Sequence, residues 1–124
     1  MNAAADTSAF RRYGEGRSGV DVEAVEAALE SESLFFPPVV VTELLTDPHP
    51  DPRILTIIRE IPMLEILDGY WWRAGILRRS LLEARLKATV ADTLIAQSCI
   101  DHEIPLITHG RDFRHFVKAG LKLL

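Results

Sequence analysis

Ile104-Pro105-Leu106-Ile107-Thr108-His109-Gly110-Arg111-Asp112-Phe113 is the stretch that decides the fold class. Leu106, Ile107 and Thr108 form a short apolar run between punctuating residues, which reads as a buried strand. Before it, Ala91 to His102 reads as a helix with Leu94, Ile95, Ser98 and Cys99 on its inner side. After it, Asp112 to Val117 reads as a short helix. Strands that alternate with helices build a mostly parallel sheet covered by helices.

The same alternation extends outward in both directions. A long amphipathic helix is expected over Tyr70 to Leu86, a short strand near Met63 to Leu67, and a helix over Arg53 to Ile61. Pro37-Pro38 opens another helix through Val39, Val40, Thr42, Glu43, Leu44 and Leu45, since proline is tolerated in a first turn. Leu34 to Phe36 is strand-like. Val22, Val25, Ala28 and Leu29 recur at helical spacing opposite Glu23, Glu26 and Glu30. Ala3 to Ala5 is a weak strand ending in the polar turn Asp6-Thr7-Ser8, and Leu121 to Leu124 is a last strand. The reading is α/β throughout.

Composition narrows the class. The chain has 124 residues, the length of one domain, and 48% of them are hydrophobic. A chain of this size buries roughly two thirds of its unfolded surface and needs no disulfide or metal to fold. Cys99 is the sole cysteine, so no disulfide forms within the chain. No segment has the length and apolar character of a membrane span, and the N-terminus lacks the pattern of a signal peptide. These features predict a cytoplasmic protein. The net charge of −4 hides a split. Residues 1–70 carry 5 Lys/Arg against 13 Asp/Glu, and residues 71–124 carry 9 against 5. The second half is a candidate basic rim for a polyanion.

Four acids stand out by position. Asp6 follows the first strand, and Asp112 lies just past the strand at 106–108, so both belong on the carboxyl rim of a parallel sheet, where such sheets bind ligands. Asp92 stands at the start of a helix and can point at that rim. Glu43 lies inside the helix after Pro37-Pro38. Each also has a local role open to it: Asp6 as a turn or cap, Asp92 and Asp112 as helix N-caps, Glu43 as a solvent-facing residue.

The local wording of these segments is shared with a known family. Ala5-Asp6-Thr7-Ser8-Ala9-Phe10 resembles the opening of PIN domains. Pro38-Val39-Val40-Val41-Thr42-Glu43-Leu44 resembles their second motif, a helix entered near a proline and carrying one Glu. Ala91-Asp92-Thr93-Leu94-Ile95-Ala96-Gln97-Ser98 resembles a third, and Ile104 to Thr108 with Arg111-Asp112-Phe113 resembles the closing strand and turn. The order and spacing match over almost the whole chain. Two departures stand out: alanines occupy the first strand where larger aliphatics are usual, and Gly110 stands where many members carry Asp or Asn.

The resemblance implies a three-layer α/β/α sandwich and a single nuclease domain over residues 1–124. It implies Asp6 and Asp92 as principal metal ligands, with Glu43 and Asp112 completing the pocket directly or through water. Thr7 or Ser8 would be supporting hydroxyl donors or a polar wall beside the phosphate. The cofactor would be Mg²⁺ or Mn²⁺, because carboxylates are hard oxygen donors. The activity would be endoribonucleolytic cleavage of single-stranded RNA, as in VapC-type toxins held inactive by a small antitoxin. A stand-alone PIN nuclease in RNA processing and a non-catalytic PIN-like scaffold are the alternatives. Homodimers are common in the family.

Other residues have narrower readings. Arg111 and Arg114 follow the last pocket acid and are candidates for RNA phosphate contacts, ahead of Arg73, Arg78, Arg79, Arg85 and Lys87. His109 near the rim is a further RNA candidate. Cys99 belongs to the core. Trp71 and Trp72 are adjacent on a helix and point in different directions, which predicts one in the core and one at a groove or interface.

Overall fold

The computed structural model describes residues 1–124. Strands β1 (Ala3–Ala5), β2 (Leu34–Phe35) and β3 (Leu106–Ile107) form a sheet of order β2-β1-β3 with every pairing parallel. Isolated parallel bridges join Phe36 to Met63 and Leu106 to Leu123, so a further strip of chain runs along each edge. The strand expected over Met63 to Leu67 shrinks to that one bridge. Pro62 offers only its carbonyl, which accepts from the Phe36 N–H at 2.9 Å, and proline is confined to such edges.

The helices are α1 (Thr7–Gly14), α2 (Val20–Glu30), α3 (Pro38–Leu45), α4 (Pro52–Glu60), α5 (Tyr70–Glu83) and α6 (Val90–Asp101), followed by a 3₁₀ helix over Asp112–Ala119. From β1 the chain moves through β2 to Met63 at one edge, then returns across the sheet to β3 and Leu123. Parallel crossovers are right-handed, so this reversal carries the connecting helices to the opposite face. An α/β/α sandwich results. The reversal also makes the carboxyl ends of β1 and β3 a topological switch point.

β1 is the centre of the sheet, and its three alanines are almost fully buried. A strand covered on both faces needs no alternation of apolar and polar residues. The bulk its alanines lack comes from Phe10, Phe36, Phe116, Ile95, Leu106 and Ile107, all essentially inaccessible. Phe10 meets Phe36 edge-on, with centroids 5.0 Å apart.

Helix α1 was not expected, because Asp6-Thr7-Ser8 reads as a turn. Asp6 is instead the N-cap of α1, accepting from the Ala9 N–H at 2.8 Å. Only Thr7, Ala9 and Phe10 of this helix are buried, too few to give a periodic signal. Helix α5 stops at Glu83 rather than Leu86, as Arg85 takes a left-handed φ of 61° and the Leu86 N–H turns back to the Leu81 carbonyl at 3.0 Å. The segment after Asp112 coils as 3₁₀ rather than α, buried through Phe113 and Phe116. No helix is long and apolar enough to cross a membrane.

Candidate active site

Asp6 sits at the carboxyl end of β1 and is only 4% exposed. One carboxylate oxygen accepts from the Ala9 N–H, both accept from the Ser8 hydroxyl at 2.9 Å, and Oδ2 accepts from the Thr108 hydroxyl at 2.5 Å. Thr108 follows β3, so this last bond ties the ends of the two strands at the switch point. Burial pushes the Asp6 carboxyl above the usual carboxylate range. The hydrogen bonds from Thr108, Ala9 and Ser8 oppose the rise, and the charge of Asp92 adds to it.

Thr7 points the other way from Ser8, as consecutive residues at a helix start do. Its hydroxyl donates to Glu43 Oε1 at 2.6 Å. Glu43 lies on α3, half-buried, and its backbone carbonyl accepts from Arg11 Nη2 at 3.1 Å. Asp92 is half-buried in the first turn of α6. Thr89, not Asp92, is the N-cap of that helix, its hydroxyl accepting from the Asp92 N–H at 3.1 Å. Asp92 is therefore released from capping. Asp112 likewise is not a cap: it is the first residue of the 3₁₀ helix, after Arg111, and is exposed.

Desolvation raises the Asp92 carboxyl, and the charges of Asp112 and Glu43 raise it further, against the Thr89 hydroxyl and Lys87. Asp92 thus senses Asp112 and Glu43, and Asp6 senses Asp92. Asp92 is thus the electrostatic link among the four acids anticipated from sequence. Their donors are all hard oxygens, the set that suits Mg²⁺ or Mn²⁺. No three His, Cys, Asp or Glu side chains are clustered tightly enough to enclose one ion. Asp6 and Glu43 instead engage neighbouring hydroxyls.

Thr108 and Thr89 are the residues that sequence reasoning passed over. The signal for Thr108 was a threonine closing an apolar strand. For Thr89 it was a cap-type residue three before Asp92. Ser8 has a second task, accepting from the His109 backbone N–H at 3.2 Å. The His109 ring turns toward Asp21, with Nδ1 3.7 Å from Oδ2. That carboxylate is already held by Arg12 Nε at 2.8 Å.

The basic residues divide. Arg73 is bound to Asp101 at 2.6 Å, and Arg78 donates to the Ala88 carbonyl at 2.8 Å, so both are structural. Arg111 and Arg114 are exposed and make no side-chain hydrogen bond or ion pair. Cys99 is core, and burial pushes its thiol up to about 12, which leaves it protonated and unreactive. The expectation for the tryptophans is corrected. Trp71 and Trp72 are 66% and 79% exposed, because Tyr70 and Ala74 take the buried side of α5.

Comparison with known proteins follows the same lines. A search of curated proteins finds no match. Among solved structures, the chain is similar to a member of the VapBC family of toxin–antitoxin systems, VapBC-5, from Mycobacterium tuberculosis. The TM-score is 0.70 at 19% identity, with 99% of this chain and 98% of the other covered. The sequence profile of the PIN domain matches residues 3–119. PIN domains are generally nucleases that use divalent metal ions. With its parallel sheet and its acids on the carboxyl rim of the switch point, the chain belongs to the PIN domain family.

Proposed function

We propose that this chain is one nuclease domain that cleaves single-stranded RNA with Mg²⁺ or Mn²⁺, and that it is the VapC-type toxin of a toxin–antitoxin pair. The observation that carries the nuclease reading is the electrostatic convergence of four carboxylates from four separate segments, Asp6, Glu43, Asp92 and Asp112. A fold gains nothing in stability from gathering like charges. The toxin reading is supported by the nearly full-length likeness to VapBC-5.

Asp6 and Asp92 would be the principal metal ligands, completed by Glu43 and Asp112. Bound divalent cations relieve the mutual repulsion of the carboxylates, lower the pKa of water and stabilise the leaving oxygen. The chain's own groups set the stage. Ser8 and Thr108 fix the Asp6 carboxylate, and Thr7 fixes Glu43. Asp92 would serve as a ligand to the cation, and the proton that the attacking water releases would pass to solvent as the leaving O3′ gains one. Water adds to phosphorus as the bond to O3′ breaks, leaving a 5′-phosphate and a 3′-hydroxyl. Arg111 and Arg114 are free to hold backbone phosphates beside the pocket.

A small antitoxin would act from the cytoplasm, where the RNA is. It would hold a peptide over the acidic pocket, with an Arg among the carboxylates. A hollow of about 500 Å³ opens between α1, α3 and α4, floored by Phe10, Leu44, Ile54 and Ile58 and lined by Arg11, whose guanidinium donates to the Glu43 carbonyl. It would take the apolar face of such a peptide.

The test is cleavage of single-stranded RNA by the purified protein. Asp6→Ala and Asp92→Ala should each reduce it by roughly 100-fold or more, the scale of losing one electrostatic stabiliser, and EDTA should abolish it. Cleavage that persists in both variants points to a contaminant or a different site and sinks this reading of the four acids. Expression in the native host without its neighbouring gene should slow growth, and Asp6→Ala should relieve this. Harmless expression with intact cleavage would leave a stand-alone RNA-processing nuclease.

A further inference from the structure

Hydrolysis by water activated at a cation makes no use of the ribose 2′-hydroxyl. The four acids alone would therefore treat RNA and DNA alike. A preference for RNA needs a group at the pocket that reads the sugar, because the 2′-hydroxyl is what tells the two apart. His109 stands where such a group is needed. Its backbone N–H donates to the Ser8 hydroxyl at 3.2 Å, and that hydroxyl donates to both carboxylate oxygens of Asp6 at 2.9 Å. Thr108, the residue before it, bonds the same carboxylate.

The imidazole is held from behind. Its Nδ1 lies 3.7 Å from Asp21 Oδ2, and that oxygen accepts from Arg12 Nε at 2.8 Å. The Asp21 side chain is 7% exposed and the His109 side chain 55%, so the ring roofs a buried acid. Burial would raise the Asp21 carboxyl, but the hydrogen bond and charge of Arg12 outweigh it and hold it below the usual carboxylate range. A Cβ at Gly19 would come within 2.8 Å of Asp21 Oδ1 and 3.0 Å of Arg12 Nη2, so the clasp closes over a position that glycine leaves clear. A carboxylate beside Nδ1 keeps the ring proton on that nitrogen. Nε2 of the neutral ring is then an acceptor, and it makes no hydrogen bond within the chain.

We infer that His109, oriented by Asp21 and Arg12, is a sugar-specificity residue whose Nε2 accepts from the 2′-hydroxyl of the nucleotide beside the scissile phosphate. The rest of the loop favours a ribose at this place. Gly110 follows with a left-handed φ of 105°, and a Cβ there would meet nothing within 4 Å, so the rim beside the ring is open. Arg111 comes next, exposed and with its guanidinium free. Along the loop, Thr108 serves the acid at the scissile phosphate, His109 and Gly110 offer an acceptor and a space, and Arg111 offers a cation. That is the order phosphate, sugar, phosphate in which a strand of RNA runs. The inference rests on the nuclease reading for the course of the strand and adds to it a reason for choosing RNA.

Fluorescence anisotropy with labelled single strands of one sequence, one RNA and one DNA, tests it, with Ca²⁺ in place of Mg²⁺ so that binding is read apart from cleavage. The wild type should bind the RNA about 5-fold more tightly, the scale of one neutral hydrogen bond. His109→Ala should bring the RNA affinity down to that of the DNA and leave the DNA affinity where it was. That variant keeps the backbone N–H to Ser8 and alters an exposed side chain, so its melting should stay native. Asp21→Asn should lose part of the preference, and adding it to His109→Ala should change the RNA-to-DNA ratio no further, as expected of a group that acts through the ring. Equal affinity of the wild type for both strands, or an RNA preference that survives His109→Ala, overturns the inference. So does an equal loss on RNA and DNA with a shallower salt dependence, which would mark His109 as a phosphate contact. A chain that prefers RNA through His109 yet cleaves nothing keeps the sugar contact and sinks the nuclease reading. A chain that cleaves RNA while His109→Ala leaves the preference intact sinks the sugar contact alone.

Discussion

Asp6 and Glu43 each receive a short hydroxyl hydrogen bond, from Thr108 at 2.5 Å and from Thr7 at 2.6 Å, on elements that the central strand anchors. Asp92 and Asp112 across the rim are more open: Asp92 has the Thr89 hydroxyl beside it, and Asp112 is exposed on a 3₁₀ turn. The inner pair is preorganised, with its carboxylates aimed by neighbours that cost no reorganisation on binding. The outer pair is less tightly held: desolvation raises the Asp92 carboxyl, and the charges of Asp112 and Glu43 add to the rise. The candidate pocket thus combines acids held by hydrogen bonds with acids left more open to solvent.

Removing the hydroxyl that aims Asp6 should break the inner half. Thr108→Val keeps the shape and deletes the bond to Oδ2. Losing such a supporting contact lowers activity by about 10–100-fold. That bond favours the charged carboxylate, so without it the Asp6 pKa rises further. The acid limb of the pH–activity profile should move to higher pH. An unchanged limb would mean that the hydroxyl does not control Asp6.

Neutralising the outer acid is a subtler change. The folded pKa of Asp92 lies above its unfolded value, so its charge penalises folding as pH rises through the unfolded pKa, with the full penalty above the folded pKa. Asp92→Asn removes that penalty without removing a cap, since Thr89 is the N-cap. The metal-free melting temperature at neutral pH should rise by about 2 °C, a small step for a half-exposed group. Near pH 3 the two proteins should melt alike. Mg²⁺ or Mn²⁺ should stabilise the wild type by binding the native state, and the shift should shrink in the variant. A variant that melts lower than wild type with an undiminished metal shift would end the shared-pocket account.

The smallest effect concerns the free arginines. Arg114→Ala should weaken RNA binding a few-fold and lower the slope of log K against log salt by about 1, the signature of one lost phosphate contact. Arg78→Ala should leave the slope unchanged, because its guanidinium caps the Ala88 carbonyl. Equal slopes for both variants and wild type would remove Arg114 from the RNA path.

Much of this was legible in the chain. The apolar run at Leu106 and Ile107, the helical spacing of Val22, Val25 and Ala28, and the proline entry to α3 all report local physics, and the elements formed where expected. Less legible were the elements whose signal is tertiary. The three alanines of β1 are weak by propensity and become the sheet's centre because Phe10, Phe36 and Leu106 supply the surrounding bulk. Helix α1 rests on a cap that doubles as a pocket acid, and a single residue with two tasks gives one ambiguous letter.

The sequence by itself determined the α/β class and the order of the elements and singled out four candidate acids, since periodicity, turn residues and motif spacing are local properties of the chain. Only the tertiary structure decided which groups aim those acids and which cations remain free. Thr108 reaches Asp6 across a sheet pairing, and Arg73 is taken by Asp101 between two packed helices. Such long-range partners depend on the packing of distant elements, and no local pattern encodes them. The same holds for the two tryptophans. Helical spacing says that they diverge, but the side of α5 that Tyr70 and Ala74 bury against α6 left both in solvent.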